Sequence, residues 1–322
     1  MQYQPFPNKD TIVVKPKFEA RYKALLGEER YKEFLDVSLS FQRRAIRVNT
    51  LKISVEELQK RLSDSWNLTP VPWCKESFWI EHKSEVKRRD IGNLVEHSLG
   101  YFYVQDPASA IPPVVLDPKP GDVVLDMCAA PGSKTTQLAQ MMQNKGILIA
   151  NEYVGLRIAA LGINVQRMGV SNTLIHRCDA NRISKKVQCD KILLDGPCSG
   201  TGTIRKSPKT LLMWNPNMIK RLGKTQLYLL ENAYKHLKPG GIIVYSTCTL
   251  EPQENEGVIS AFLQKHADMK TLDITIPLRR SNPVLSFEGI EYHPGVEKSL
   301  RIYPQDNDTE GFFICKLQKD SV

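Results

Sequence analysis

Two cysteines stand where a thiol could act. Cys198 lies in Asp195-Gly-Pro-Cys-Ser-Gly-Thr-Gly202, and Cys248 in Tyr245-Ser-Thr-Cys-Thr-Leu250. Each follows an apolar run with the character of a buried strand, KILLD (191–195) or GIIVYS (241–246), and each is flanked by small polar residues. A thiolate is the usual covalent nucleophile of such settings. Asp195 sets a carboxylate beside the first thiol, and Pro197 fixes the backbone between them. A lone strand-end cysteine is ordinarily packing; two in matching settings are harder to assign that way. No pair among the seven cysteines has C-x-x-C spacing, so a zinc ribbon, a thioredoxin-type motif and a bound metal are not expected. Their odd number fits reduced thiols in a cytoplasmic protein.

A third segment, Asp126-Met-Cys-Ala-Ala-Pro-Gly-Ser-Lys134, follows the apolar run VVLDMC (123–128). Small residues there let backbone approach a ligand closely, and a following helix offers free N–H groups. A Walker A loop fails: Met127 stands where its first glycine belongs, and Ser133 separates Gly132 from Lys134. The G-x-G-x-x-G dinucleotide fingerprint is absent. Glu152, after the second strand-like run, is placed to hold ribose hydroxyls, and Asp179, after the third, to accept from an adenine amine. Helix capping is the other reading of both carboxylates. An adenosine-containing ligand without a phosphate fingerprint points to S-adenosyl-L-methionine. The cofactor set expected is Cys128, Ala129, Ala130, Pro131, Gly132, Ser133 and Lys134, with Glu152, Arg157, Asp179 and Asp195.

The elements that position these residues are βα units. Strands are expected at 123–128, 146–151, 172–176, 191–195, 241–246 and 312–316, with helices at 134–142, 154–168, 218–237 and 254–266. The alternation predicts the α/β class and a parallel sheet covered on both faces. Ligands of such sheets sit at the carboxyl ends of the strands. Strands 191–195 and 241–246 are expected to be neighbours, which would bring two thiols 50 residues apart to one cleft. Upstream of the prolines at 112–120, one or two helices (17–39), a strand (44–50), a helix opened by the capping-box pattern Ser54-x-x-Glu57, and strand-like runs at 68–73, 78–81 and 101–105 suggest a small α+β unit. It carries Arg43, Arg44, Arg47, Lys83, Lys87, Arg88 and Arg89, and residues 1–16 read as a loose arm.

Composition sets the outer bounds. The 322 residues are 41% apolar and 25% charged, which excludes disordered, collagenous and coiled-coil classes. No apolar run reaches 18 residues, so no membrane partner is expected, and no secretory signal is read at the N-terminus. Forty-four Lys and Arg against 35 Asp and Glu give a net charge of +9, which fits either an anionic partner such as nucleic acid or a basic enzyme of another kind.

The segments LLDGPCSGTG, YSTCTLEPQENE and VLDMCAAPGSKTTQL, together with IRVNTL (46–51), VQDPASAIPPVVLDPKPGD (104–122) and RIYPQDNDTEGFF (301–313), resemble motifs of the Nop2/Sun family of RNA cytosine-5 methyltransferases. CAAPGSKTTQL and GTIRK resemble the tRNA-modifying, archaeal-type members most. Pro304-Gln305 replaces the family's common P-H pair. The resemblance implies a Rossmann-like S-adenosylmethionine-dependent methyltransferase domain (106–322) behind a small N-terminal α+β RNA-binding domain (1–105), acting as a monomer on RNA, tRNA first. It implies Cys248 as nucleophile on cytosine C6, Cys198 assisting release, Asp195 at the N3 and amine edge, kept protonated by burial, and Lys134 helping to hold the base. A free thiol is only about 3% ionised at pH 7, so the site must favour the thiolate.

From Gly196 to Leu230 there is no acidic residue, but Arg205, Lys206, Lys209, Lys220, Arg221 and Lys224 are present. Starting at the P-C motif, this stretch is expected to line an RNA groove; a solvated basic face is the alternative. Trp214 is expected in packing, with base stacking as the alternative. Three rivals stand: a DNA cytosine-5 methyltransferase using Cys198 as nucleophile, an rRNA methyltransferase of the same family, and a non-catalytic RNA-binding or assembly factor.

Overall fold

The computed structural model describes residues 3–84, 90–184 and 186–321; Lys87, Arg88 and Arg89 lie outside the described residues. Two N-terminal helices, Pro16–Leu26 and Glu28–Ser38, are divided by Gly27 at φ 78°, a conformation that favours glycine. An antiparallel sheet follows, built from β1 (Ala45–Val48), β2 (Trp66–Pro70), β3 (Ser77–His82) and β4 (Phe102–Val104) in the order β2-β3-β1-β4. Its helix, Val55–Leu62, begins at Ser54, whose hydroxyl accepts from Glu57 N at 3.1 Å.

The α/β part carries β5 (Val123–Asp126), β6 (Ile147–Asn151), β7 (Thr173–His176), β8 (Cys189–Asp195), β9 (Leu237–Thr247), β10 (Met269–Leu272), a small hairpin of β11 (Ser286–Phe287) and β12 (Ile290–Glu291), β13 (Leu300–Ile302) and β14 (Phe312–Lys319). The main sheet runs β10-β14-β9-β8-β5-β6-β7, with β13 also paired to β14. Strands β9, β8, β5, β6 and β7 are parallel, so Thr247, Asp195, Asp126, Asn151 and His176 end on one edge. Strands β8 and β9 are neighbours, with Asp195 opposite Ser246.

The sheet is mixed rather than wholly parallel, because β14 runs antiparallel to β9, β10 and β13. The connection from β13 to β14 is one short turn around Pro304–Asn307, which suits an antiparallel neighbour and leaves no length for a crossover helix. Apolar side chains close both faces: Val124, Leu138, Leu193 and Val244 on one, Leu125, Ile192, Leu230 and Phe262 on the other.

The N-terminal arm is docked, not loose. Phe6 N donates to Leu39 O and Phe41 N to Gln4 O, and Phe6, Ile12 and Val14 pack on an aromatic cluster. That cluster joins Phe18, Tyr22 and Phe34 of the first helices to Leu211, Trp214, Leu250 and Tyr303 of the α/β part. Trp214 is thus a packing residue.

Candidate active site

The carboxyl ends of β8 and β9 bring the two motif cysteines together. Cys198 Sγ lies 3.2 Å from Cys248 Sγ, and both are reduced. The hydrogen bond to Cys248 and burial push the Cys198 thiol well above its ordinary range, so Cys198 holds its proton; either sulfur can donate in the contact between them. Gly202 N donates to Cys248 O at 2.9 Å, and Gly311 N to Gly202 O at 2.8 Å. A Cβ on Gly202 would stand 2.2 Å from Gly311 O and 2.8 Å from Cys248 O, so only glycine lets these three strands of backbone meet.

Asp195 is not the isolated buried acid expected from its sequence setting. Its Oδ2 accepts from Lys134 Nζ at 2.7 Å and its Oδ1 from Ser246 Oγ at 2.8 Å. Lys134, on the first turn of helix Ser133–Met141, also donates to Ser109 Oγ at 3.0 Å. Burial works against its charge, but the Asp195 carboxylate outweighs burial and holds the ammonium above its ordinary value. A cation therefore stands beside the cysteine pair.

Behind Cys198 lies Glu254, which sequence reading passed over. Its Oε2 accepts from Ser199 N at 3.0 Å and Gln226 Nε2 at 2.9 Å, and the same Gln226 amide holds Pro197 O at 2.8 Å. Burial pushes the Glu254 carboxyl up to about 7. Every other acid of the Glu251-Pro-Gln-Glu-Asn-Glu256 run is also buried and engaged. Glu251 takes Trp214 Nε1 at 2.7 Å and Arg21 Nε at 2.7 Å; Glu256 takes Arg301 at 2.5 and 2.9 Å. This acidic run is the internal scaffold of the Cys248 loop. Glu310 and Asp106, also missed, face each other in the interior: Glu310 N donates to Asp106, whose carboxyl burial raises to about 7.

The expected cofactor residues gather at the ends of β5, β6 and β7. Ala129 and Ala130 are buried, Gly132 turns at φ 106°, and a Cβ there would press Leu161 at 3.1 Å. Glu152 is 4% exposed. Its Oε1 accepts from Val154 N at 2.9 Å, as a cap would, while its Oε2 has no hydrogen-bond partner. Arg157 Nη1 stands 3.2 Å from that oxygen, and its Nη2 donates to Ala130 O at 2.7 Å, tying the acid to the small-residue loop. Burial and the neighbouring Asp126 push the Cys128 thiol up, so it stays neutral. Asp179 is half-buried where β7 gives way to the turn at Ala180–Arg182, and its carbonyl accepts from Arg182 N. A buried acid with one oxygen held by an ion pair but no hydrogen bond, beside a cradle of small residues, fits a ribose hydroxyl pair.

The basic stretch divides. Lys206, Lys209, Lys220, Arg221 and Lys224 are exposed. Arg205 is not: its side chain is buried, pairs with Asp308 at 2.7 Å and donates to Phe41 O at 2.8 Å. A guanidinium spent on an internal carboxylate cannot also meet phosphate, so Arg205 leaves the expected groove set. Arg47 is likewise internal, reaching from β1 to Thr136 Oγ1 at 2.9 Å and Ser133 O at 3.3 Å on helix Ser133–Met141. Among the described residues no helix is long and apolar enough to cross a membrane, and no cluster of metal-ligating side chains occurs.

A mixed α/β sheet with a small-residue loop after β5 and a buried acid after β6 is an arrangement of the Rossmann-like class, to which S-adenosylmethionine-dependent methyltransferases belong. The family model described as 16S rRNA methyltransferase RsmB/F matches residues 113–318, and the N-terminal domain of 16S rRNA methyltransferase RsmF matches residues 14–107. The chain belongs to this family of S-adenosylmethionine-dependent RNA cytosine-5 methyltransferases, also known as Nop2/Sun. It is 43% identical to the tRNA (cytosine(49)-C(5))-methyltransferase of Pyrococcus abyssi, over 95% of this chain and 96% of that one. It is 44% identical to ribosomal RNA small subunit methyltransferase F of Aliivibrio salmonicida over 87% of this chain, but spans only 58% of that protein's length. Among solved structures it resembles a methyltransferase homologue from Pyrococcus horikoshii (38% identity, TM-score 0.84, 98% of this chain and 99% of that one). It also resembles NSun6 of the same organism, solved with SFG (26%, 0.83, 95% and 98%).

Proposed function

We propose that this protein methylates cytosine C5 in tRNA through a covalent adduct of Cys248. The carrying observation is the thiol pair at 3.2 Å beside the Lys134–Asp195 ion pair. Cytosine C5 is a poor nucleophile until a thiolate adds at C6. In the proposed sequence Cys248 Sγ bonds to C6, the ring electrons move to N3, and N3 takes a proton from solvent that it gives back when the adduct collapses. Asp195 addresses the N3 and amine edge, and Lys134 Nζ supplies positive charge there. Bound S-adenosylmethionine supplies the methyl group, which C5 takes up. The C5 proton then leaves, the C6–Sγ bond breaks and Cys248 departs as thiolate.

Cys198 suits the proton step. The largest influence raising its pKa is its hydrogen bond to Cys248. When Cys248 is consumed in a C–S bond that influence disappears, and Cys198 gives up its proton to solvent more easily. It then accepts the C5 proton. Glu152 holds the cofactor ribose, with Arg157 fixing the loop above it, and the loop 128–134 and Asp179 complete the cofactor pocket. Lys206, Lys209, Lys220 and Arg221 meet RNA phosphates.

The match to the Pyrococcus abyssi enzyme along nearly the whole of both chains supports tRNA; the identity to the longer Aliivibrio protein keeps rRNA as the second reading. Incubation with labelled S-adenosylmethionine and either bulk tRNA or small-subunit rRNA decides between them. Label in tRNA alone is expected; label in rRNA alone would overturn the tRNA assignment.

A further inference from the structure

We infer that the short helix Lys209–Met213 ends in an apolar wedge, and that Leu212 and Met213 take the place of a stacked base next to the target cytosine. The inference rests on the RNA methylation reading above. Leu212 is 58% exposed and Met213 65%. Single exposed apolar residues are common, but this pair is rigidly displayed. Lys15 Nζ donates to Leu212 O at 2.6 Å and to Trp214 O at 2.8 Å. Trp214 is buried and anchored on Glu251, and Leu211 packs with Trp214, Ile219 and Leu250. Leu250 and Glu251 lie two and three residues beyond Cys248. The tip is therefore built into the same framework as the Cys248 loop.

Its surroundings select the partner. Lys209 precedes the pair, and Lys220, Arg221, Lys224 and Tyr228 share one solvent face of the next helix, Pro216–His236. No carboxylate occurs between Gly196 and Leu230. Exposed apolar side chains flanked in the chain by exposed cations suit a polyanion that also presents apolar faces, which is what a nucleic acid with an opened base step offers. Proteins that unstack bases insert leucine or methionine in this way, and an enzyme acting on a base must take it out of the stack.

The test is the Leu212→Ser/Met213→Ser variant, with Leu212→Phe/Met213→Phe as the conservative partner, since a phenyl ring also stacks. Two substrates are compared: bulk tRNA and a single-stranded oligonucleotide spanning the methylated cytosine. The serine variant is expected to lose about tenfold in kcat/KM on tRNA and to stay within about twofold of the parent on the oligonucleotide, where no base needs unstacking. The phenylalanine variant keeps the parent rate on both, and S-adenosylmethionine affinity is unchanged in all. Equal rates of serine variant and parent on tRNA would overturn the wedge, even if that variant lost binding to anionic lipid vesicles. An equal fall on both RNAs would overturn it too, by making the pair a general binding surface. A parent that methylates neither RNA would overturn the tRNA reading, and the wedge with it.

Discussion

Replacing Glu254 by glutamine tests the interior of the site without touching a thiol. Both donors that reach this carboxyl, Ser199 N and Gln226 Nε2, go to Oε2, and Oε1 has no hydrogen-bond partner. A protonated carboxyl with its hydroxyl at Oε1 keeps both bonds, and a glutamine with its amide nitrogen there keeps them as well. Burial raises the folded-state pKa to about 7 from an ordinary 4.5. Between those values the folded chain binds more protons than the unfolded one, so stability falls as pH rises. With those two pKa values, 4.5 and about 7, the loss is about 0.8 kcal/mol at pH 5 and about 3.3 kcal/mol at pH 8, a difference of about 2.5 kcal/mol. Glutamine does not titrate and escapes it. Urea unfolding at both pH values, with m checked for constancy, should show Glu254→Gln gaining about 2.5 kcal/mol on the parent between pH 5 and pH 8. Parallel stability curves would refute the claim that this carboxyl is held protonated by burial.

Other expectations are briefer. Cys248→Ala should abolish methyl transfer and leave S-adenosylmethionine affinity intact; turnover in that variant would remove Cys248 as nucleophile. Glu152→Ala should weaken cofactor binding by about tenfold in calorimetry, since it removes an acceptor whose Oε2 has no hydrogen-bond partner; unchanged affinity would remove the ribose contact. Lys220→Ala/Arg221→Ala should flatten the slope of log RNA affinity against log salt by about 0.7–0.9 per phosphate contact, with stability unaltered. Arg205→Ala should instead cost about 3–5 kcal/mol of stability by leaving Asp308 buried and unpaired; a salt-slope change without destabilisation would return Arg205 to the groove.

Strand periodicity carries a long way in this sequence. The apolar runs at β5, β6, β8 and β9 place Asp126, Glu152, Asp195 and Cys248 on one sheet edge, and adjacency of β8 and β9 follows from the common order of such sheets. The approach of Cys198 to Cys248 is legible for that reason. What escapes is anything decided by a partner distant in sequence. Arg205 looks like its exposed neighbour Lys206 until Asp308 is found 103 residues on. Glu251, Glu254 and Glu256 look solvated until Trp214, Gln226 and Arg301 fold onto them. Strands β10 and β13 are too short to show a period, so only β14 is legible on the antiparallel side of the sheet, and its direction is not. The arm at residues 3–15 lacks a pattern of its own because it takes its conformation from the surface it covers.

Covalent catalysis by the thiol pair is the central claim, and one experiment addresses it directly. Cys198→Ala is incubated with labelled S-adenosylmethionine and bulk tRNA and run on a denaturing gel. With Cys248 able to add at C6 but its partner gone, the account predicts a labelled protein–RNA species that survives denaturation and is absent in the Cys198→Ala/Cys248→Ala double variant. Normal turnover by Cys198→Ala, with no such species, would contradict it and return Cys198 to packing.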